Sequence, residues 1–226
     1  MSVPSEIRAA LRAAADPSKA TAQQAYMKSA MPFLGVTVPV VRRIVLAAAC
    51  DLAADEALAA SAALWDAAGY REERYAALEL LGVRSLVGDL AAVPLVERFD
   101  AEGRWWDVSD SLAHRVAALH DADAERARAL VLAWAVDRRT EPGPDSGMWL
   151  RRLAILSQLG RRERIDLELL SAVVEPNIAD SEFFIRKAIG WALREAARVA
   201  PDWVRAFVDA RPLSPLSRRE ALKHIG

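Results

Sequence analysis

Apolar residues recur at three- and four-residue spacing along almost the whole chain, and this pattern limits the possible folds more than any other feature. The spacing matches the period of an amphipathic helix, which buries one stripe of its surface. The two-residue alternation of a half-buried strand is hard to find in the sequence. The pattern therefore predicts an all-α fold.

Proline, glycine and short polar residues divide the helical pattern into pieces of about ten to fifteen residues, which indicates about a dozen helices. We expect one helix from Ser181 to Arg194, where Asp180 and Ser181 can cap it, and another from Pro201. The range 138–147 is rich in proline and glycine, so a mobile loop is expected there. The breaks lie at Asp16-Pro17, Gly35 with Pro39, Gly69, Gly103, residues 141–144, residues 175–177, Ala200-Pro201 and Arg211-Pro212.

Four segments share a basic residue followed four positions later by a large apolar residue. They begin at Arg74, Arg115, Arg152 and Lys187, at offsets of roughly 41, 37 and 35 residues, within or just below the range of HEAT-type repeats. This period predicts stacked helix pairs that form one HEAT-like solenoid domain over residues 1–226, with a concave face for binding. The alternative is a chance echo in a helical chain rich in alanine, leucine and arginine, and it leaves the all-α prediction unchanged.

Composition excludes several classes of protein. The 226 residues include 30 Lys and Arg and 31 Asp and Glu, so the chain is not uniformly basic. A hydrophobic fraction of 53% excludes a disordered chain. The single Cys50 cannot form an intramolecular disulfide, so a cytoplasmic location is expected, nucleoid-associated in a bacterium. No apolar run of about eighteen residues and no signal peptide is found, so a membrane partner is not expected.

Positive charge is concentrated in the last third of the chain. From Ser146 onward there are 14 basic and 10 acidic residues, a net charge of +4, whereas the part before it is net negative. On the helix expected over 181–194, Lys187, Trp191 and Arg194 share one face because they are spaced i, i+4 and i+7. This indicates a basic face that carries an indole and suits a polyanion. The alternative is a core tryptophan beside solvated basic residues.

Trp106 and Asp110 lie one helical turn apart in the string WWDVSD. Spacing alone leaves two interpretations of Asp110, since it can cap a helix or pair with Arg115 at the surface, or serve as the carboxylate of a site. Trp149 and Arg152 are three residues apart and share a face in the same way. The three histidines are scattered, and the sequence contains no metal-binding, phosphate-loop or nucleophile-elbow motif, so neither a metal nor a cofactor is expected.

Taken in order, these segments resemble the AlkD-like alkylpurine DNA glycosylases, a HEAT-like repeat family of DNA-repair enzymes. The resemblance runs from near residue 20 almost to the end of the chain. Its most specific strings are WWDxxD at 105–110 and FFIxKAIGWxLRE at 183–195. The weaker strings are AYMK at 25–28, FLG at 33–35, GxxxPxxR at 35–42, WLxR at 149–152 and PLSRREAxKHI at 215–225.

The resemblance implies a base excision repair hydrolase. It implies a glycosylase that cleaves the N-glycosidic bond of cationic N3- and N7-alkylated purines, such as 3-methyladenine and 7-methylguanine, in duplex DNA without base flipping. The implied catalytic groups are Asp110 as the carboxylate and Trp106 and Trp191 beside the lesion. The partner is alkylated double-stranded DNA, bound by a monomer. The implied DNA contacts are Tyr26, Lys28, Arg42, Trp149, Arg152 at the centre of the cleft, Lys187, Arg194, Arg218 and Arg219.

Two other classes of function share such a fold. One is a helical-repeat scaffold that binds DNA or protein without catalysis, although a scaffold needs neither Trp106 nor Asp110 at a cleft. The other is a peptide-binding solenoid of the armadillo kind, which favours an inner row of Asn and Trp, whereas the Arg and Lys residues here suit a polyanion.

A glycosylase of the kind that the resemblance implies is expected to leave uracil and other neutral bases in place.

Overall fold

The computed structural model describes residues 2–143 and 145–226, and this part of the chain contains α-helices and short 3₁₀ turns without a strand. The prediction of an all-α fold is confirmed. The helices form two compact units, an amino-terminal unit that ends at Leu95 and a carboxy-terminal unit, Val96–Gly226. Within the described residues, no helix combines the length and apolar character needed to cross a membrane.

The amino-terminal unit is built from five helices that pack around aliphatic side chains. The first and third helices pack together, the third packs on the fifth, and the fourth contacts both the first and the fifth. Ile7, Leu11, Val41 and Leu64 are almost completely buried between them. The helices are α1 (Val3–Ala13), α2 (Pro17–Met27), α3 (Val38–Ala49), α4 (Ala54–Asp66) and α5 (Arg71–Leu80).

The turn between α2 and α3 is held by a buried carboxylate. Gly35 has a φ of +85°, and a Cβ at this position would lie 2.0 Å from the carbonyl oxygen of Asp16, so only glycine fits. Glu72, fully buried in the first turn of α5, accepts hydrogen bonds from the backbone amides of Leu34, Gly35 and Val36 at 2.9–3.0 Å. The break predicted at Gly35 is therefore confirmed.

The carboxy-terminal unit arranges its helices in two layers. The helices are α6 (Val93–Gly103), α7 (Trp106–Ala122), α8 (Ala124–Ala135), α9 (Ser146–Leu156), α10 (Leu167–Val174), α11 (Phe183–Ala196), α12 (Pro201–Asp209) and α13 (Pro215–Ala221). In one layer α7, α9, α11 and α13 are neighbours in that order. Behind this layer α8 packs on α7, α9 and α10, and α12 contacts α11 and α13.

The sequence repeat corresponds to this layering. The segments that begin at Arg115, Arg152 and Lys187 lie on α7, α9 and α11, which are adjacent helices of one layer. Contact between α11 and α13 depends on Gly190, since a Cβ there would lie 2.5 Å from Cβ of Glu220. Three of the four predicted segments thus lie on neighbouring helices of the carboxy-terminal unit, and the segment that begins at Arg74 lies on α5 of the amino-terminal unit.

The start of α11 differs from the prediction. The helix expected from Ser181 begins at Phe183 because the Asp180 side chain accepts a hydrogen bond from the Glu182 amide at 2.9 Å and Glu182 is extended. Asp180 therefore ends a turn before the helix rather than capping it. The predicted start of α12 at Pro201 is confirmed.

The loop expected over 138–147 ends earlier, because Ser146 and Gly147 belong to α9. The Gly147 amide donates to the carbonyl oxygen of Arg139 at 2.9 Å, and a Cβ on Gly147 would lie 2.8 Å from the Arg139 nitrogen. This close approach anchors the start of α9. Pro144, within the same expected loop, lies outside the described residues.

Candidate functional site

Asp110 and Arg152 form an ion pair between α7 and α9. Nη2 of Arg152 donates to Oδ1 of Asp110 at 2.6 Å, and Nη1 donates to the carbonyl oxygen of Phe184 on α11 at 2.7 Å. Arg152 therefore links three neighbouring helices of the layer. Its side chain is 3% exposed, whereas that of Asp110 is 20% exposed. A molecule at the surface can reach the carboxylate, while the guanidinium lies behind it.

The environment of Asp110 disfavours its charge. Burial is the main cause that raises the pKa of Asp110, and the nearby Asp107 raises it as well. Arg152 opposes both effects, with a smaller contribution in the same direction from His114. The ionised carboxylate is thus poorly solvated, and the guanidinium of Arg152 offsets part of its negative charge.

Aromatic rings pack against this ion pair. Phe184 lies 4.9 Å from Trp149 and 5.5 Å from Trp105, measured between ring centroids, and the Arg152 guanidinium carbon lies 5.9 Å from the centre of the Phe184 ring. Trp149, predicted to contact DNA, is 2% exposed. Its indole therefore packs against Phe184 and offers almost no surface to a ligand. Phe183, in contrast, is an exposed ring at the start of α11.

The two tryptophans predicted to flank a lesion are both partly exposed. Trp106 is the first residue of α7 and precedes Asp110 by one turn, and Trp191 lies in the middle of α11. Neither indole is a fully buried core residue. Partial exposure leaves part of each ring surface open to a ligand while the rest is packed.

The basic residues of α11 share one acidic partner on α13. Lys187 Nζ lies 2.8 Å from Oε1 of Glu220, and Arg194 Nη1 lies 2.5 Å from Oε2 of the same carboxylate. These two cations, Lys187 first, lower the pKa of Glu220. The prediction that Lys187 and Arg194 lie on one side of the helix is confirmed by their common partner.

The remaining basic residues predicted in this unit lie on α13. Arg218 is exposed, donates to the carbonyl oxygen of Val208 and pairs with Asp209 at 2.7 Å. Arg219 is exposed. Both lie on the helix that also carries Glu220, the partner of Lys187 and Arg194.

Three predicted contacts belong to the amino-terminal unit, whereas Asp110 belongs to the carboxy-terminal unit. Tyr26, near the end of α2, is 74% exposed. Lys28 follows α2 in the left-handed conformation, with a φ of 49°. Arg42 on α3 is exposed and pairs with Glu79 at 3.0 Å.

Sequence reasoning overlooked a second buried acid, Asp100. It comes from α6, is completely buried, and accepts a hydrogen bond from Oγ of Ser109, the residue before Asp110. Burial raises the pKa of Asp100 to about 7, against the effects of Ser109 and Arg152, while Asp110 raises it further. One signal was present in the sequence: Asp100 occupies an apolar position of α6, next to Phe99 and four residues after Val96.

The chain matches the model of a protein family described as DNA alkylation repair enzyme over residues 7–225. Among curated proteins no significant match is found. One solved structure with a similar fold is a predicted DNA alkylation repair enzyme from Enterococcus faecalis, with a TM-score of 0.81 and 24% identity, covering 94% of this chain and 97% of that one.

Two further solved structures come from Streptococcus mutans. AlkD2 has a TM-score of 0.64 and 16% identity, covering 84% of this chain and 91% of that one. The protein smu.31 from strain UA159 has a TM-score of 0.62 and 16% identity, covering 84% and 93%. At these identities the likeness shows a shared helical fold.

Proposed function

The chain belongs to the DNA alkylation repair enzyme family, and we propose that it is a DNA glycosylase that removes cationic N3- and N7-alkylated purines from duplex DNA. A role in DNA alkylation repair follows from the family itself. The observation that supports the glycosylase is Asp110, a partly exposed carboxylate held by Arg152 one helical turn after Trp106. This is the arrangement that the resemblance to AlkD-like glycosylases implies for the catalytic groups.

The proposed reaction requires few catalytic groups from the protein. Alkylation at N7 or N3 makes the purine a cation, so the bond from C1′ to the base breaks with its electron pair moving to the base, which leaves neutral. Positive charge develops on the deoxyribose, and a water molecule then adds to C1′ and loses a proton. No general acid is needed for the leaving group.

Asp110 is the residue that this scheme requires. A fixed carboxylate near C1′ stabilises the developing positive charge and orients or deprotonates the attacking water. Removing one such electrostatic group costs roughly 2.7 to 4 kcal/mol of transition-state stabilisation. The indole faces of Trp106 and Trp191 add about 0.5 to 2 kcal/mol each through attraction of the cationic sugar to the ring.

Binding is proposed to come mainly from basic side chains that meet phosphates. In the carboxy-terminal unit these are Lys187, Arg194, Arg218 and Arg219, and Tyr26, Lys28 and Arg42 are the proposed contacts of the other unit. Arg152, predicted as a DNA contact, has a side chain that is 3% exposed and instead holds Asp110. Affinity should therefore fall as salt concentration rises. Sequence preference should be slight, because phosphate contacts do not distinguish bases.

The deciding experiment measures base release under single-turnover conditions from a duplex with one N7-methylguanine. The native protein should release the base, and Asp110→Asn should lose about 10²- to 10³-fold in rate while keeping its affinity for the duplex. Asp121→Asn is a matched control, because Asp121 lies on the same helix but pairs with Arg161 and Arg164. It should behave like the native protein.

Three results would contradict parts of this proposal. Undiminished excision by Asp110→Asn would remove that carboxylate from the mechanism. Tight duplex binding without any base release by the native protein would favour the non-catalytic scaffold. Equal release of uracil and N7-methylguanine would refute the dependence on a cationic leaving group.

A further inference from the structure

Two buried polar atoms beside Asp110 have no hydrogen-bond partner among the described residues. They are Oδ2 of Asp100 and Nε of Arg152, one an acceptor and the other a donor. The remaining oxygen of Asp100 is engaged by Ser109, and the two terminal nitrogens of Arg152 are engaged by Asp110 and Phe184. A buried polar atom without a partner costs stability. Nε of Arg151, Arg161 and Arg186 is in the same situation as Nε of Arg152, so the feature that requires an explanation is the carboxyl oxygen of Asp100.

The three charged groups form one electrostatic cluster. Asp100 accepts a hydrogen bond from Ser109, which directly precedes Asp110, and Asp110 pairs with Arg152 at 2.6 Å, so contacts connect the three charged groups. Arg152 accordingly lowers the pKa of Asp100, and Asp110 raises it. One guanidinium thus serves two carboxyl groups. Ser109 ties Asp100 to the turn of α7 that carries Asp110, so the relative positions of the two acids are fixed.

We propose that Asp100 is a positioning residue of the site. When DNA is bound, Arg152 releases Asp110 and pairs with Asp100 instead, and this exchange leaves the Asp110 carboxylate facing the deoxyribose. The inference rests on the proposed glycosylase function. In the free protein Arg152 neutralises much of the negative charge of Asp110, and a neutralised carboxylate stabilises a positive sugar poorly. The exchange gives partners to Nε and Oδ2 and restores negative potential at the surface.

The exchange also predicts a specific pH dependence. The groups that face Asp100 are Ser109, Arg152 and Asp110, and those that act on Asp110 also include Asp107 and His114. Asp100 must lose its proton to solvent in order to accept the guanidinium. Because burial raises its pKa to about 7, the single-turnover rate should fall as the pH is lowered through that value.

Two variants separate this role from a merely structural one. Ser109→Ala removes a hydrogen bond that lowers the pKa of Asp100, so the fall in rate should move to higher pH. The side chain of Asp100→Asn cannot ionise, so the decrease in single-turnover rate that Asp100 causes should disappear. Only the decrease in rate caused by protonation of Asp110 should remain. At saturating duplex the rate of Asp100→Asn should drop by about 10- to 100-fold with unchanged affinity.

The experiment measures base release between about pH 5 and pH 9 for the native protein, both variants and the control Asp121→Asn. Circular dichroism of each variant verifies that it is folded. A native rate and a native pH profile for Asp100→Asn would overturn the proposal while leaving the glycosylase function intact. A loss of rate that is fully explained by weaker duplex binding would overturn it as well.

A second measurement does not depend on catalysis. The nitrogen-15 resonance of Arg152 Nε is recorded with and without an unmodified duplex, in the native protein and in Asp100→Asn. We expect the native Nε–H resonance to shift downfield on DNA binding, and the variant resonance to lack this shift. An unchanged native resonance in the complex would refute the exchange, and native protein that shows the shift but releases no base would refute only the proposed function.

Discussion

Glu72 in the amino-terminal unit and Asp100 in the carboxy-terminal unit are both completely buried carboxyl groups, but their surroundings differ. Glu72 accepts hydrogen bonds from three consecutive backbone amides, at Leu34, Gly35 and Val36. Asp100 accepts one hydrogen bond, from Ser109, and its second oxygen has no partner among the described residues.

The difference separates two uses of a buried acid. A carboxylate whose oxygens are satisfied by the backbone holds a turn in place and contributes to stability. A carboxyl group with a free oxygen beside an ion pair weakens the fold, and such groups are typical of functional sites. Burial alone therefore does not identify a functional acid, and incomplete hydrogen bonding is a second criterion that separates Asp100 from Glu72.

The largest effect is expected for Glu72→Ala. It leaves three buried amides without an acceptor, and each such donor costs about 1 to 3 kcal/mol, so the free energy of unfolding should fall by at least about 3 kcal/mol. Urea denaturation measures this loss. Glu72→Gln keeps one acceptor oxygen and should lose less. Equal stability of all three proteins would show that Glu72 does not hold the turn.

Asp100→Asn should change stability in the opposite direction. Folded Asp100 keeps its proton up to a pKa of about 7, against the ordinary 3.8, so between these pH values the folded state binds more protons than the unfolded state. Its contribution to the free energy of unfolding therefore decreases as pH rises through this window. At pH 8 Asp100→Asn should be more stable than the native protein by about 4 kcal/mol, with less than half of that gain at pH 5. Denaturation at both pH values measures the difference, and a loss at pH 8 would contradict it.

Smaller effects on rate are expected for Trp106→Ala and Trp191→Ala. Loss of one cation–π contact of about 0.5 to 2 kcal/mol should slow single-turnover base release by roughly 2- to 30-fold. Trp203→Ala is the control, because Trp203 stacks on Phe207 of the same helix, α12, and is assigned no role in the site. Rates that match the control would exclude both indoles from the chemistry.

The smallest effect on binding is expected for Arg42→Ala. Its bidentate ion pair joins an arginine side chain that is 59% exposed to a Glu79 side chain that is 8% exposed, so removing the guanidinium should also lower the free energy of unfolding, by about 1 to 3 kcal/mol. If Arg42 meets a phosphate, the slope of log affinity against log salt should become shallower, by less than one because Glu79 already serves Arg42 as a counterion. Titrations of duplex at several salt concentrations measure this slope, and an unchanged slope would remove Arg42 from the DNA contacts.

The sequence was sufficient to predict the helical fold, because burial of one stripe is a local property that the spacing of apolar residues records. It was insufficient at the starts of α9 and α11, where a contact of Gly147 with Arg139 and the turn at Asp180 decide the boundary. Helix starts of this kind depend on the side chains and backbone that pack against them.

The candidate site was predictable only in part. Motifs pointed to Asp110 and Arg152, but no sequence feature shows that these residues, 42 positions apart, form an ion pair. Asp100 was overlooked because its significance depends on α6, α7 and α9 meeting at one place. The partial exposure of Trp106 and the burial of Trp149 likewise follow from packing between helices and not from spacing.

Glu220 has a consequence for how the basic surface responds to salt. Lys187, Arg194 and Glu220 together carry one net positive charge, so the group behaves toward a phosphate like a single cation with its own built-in counterion. A polyanion that engages both basic side chains has to displace this internal carboxylate. The trio should therefore count as about one charge, and not two, in the release of ions from DNA.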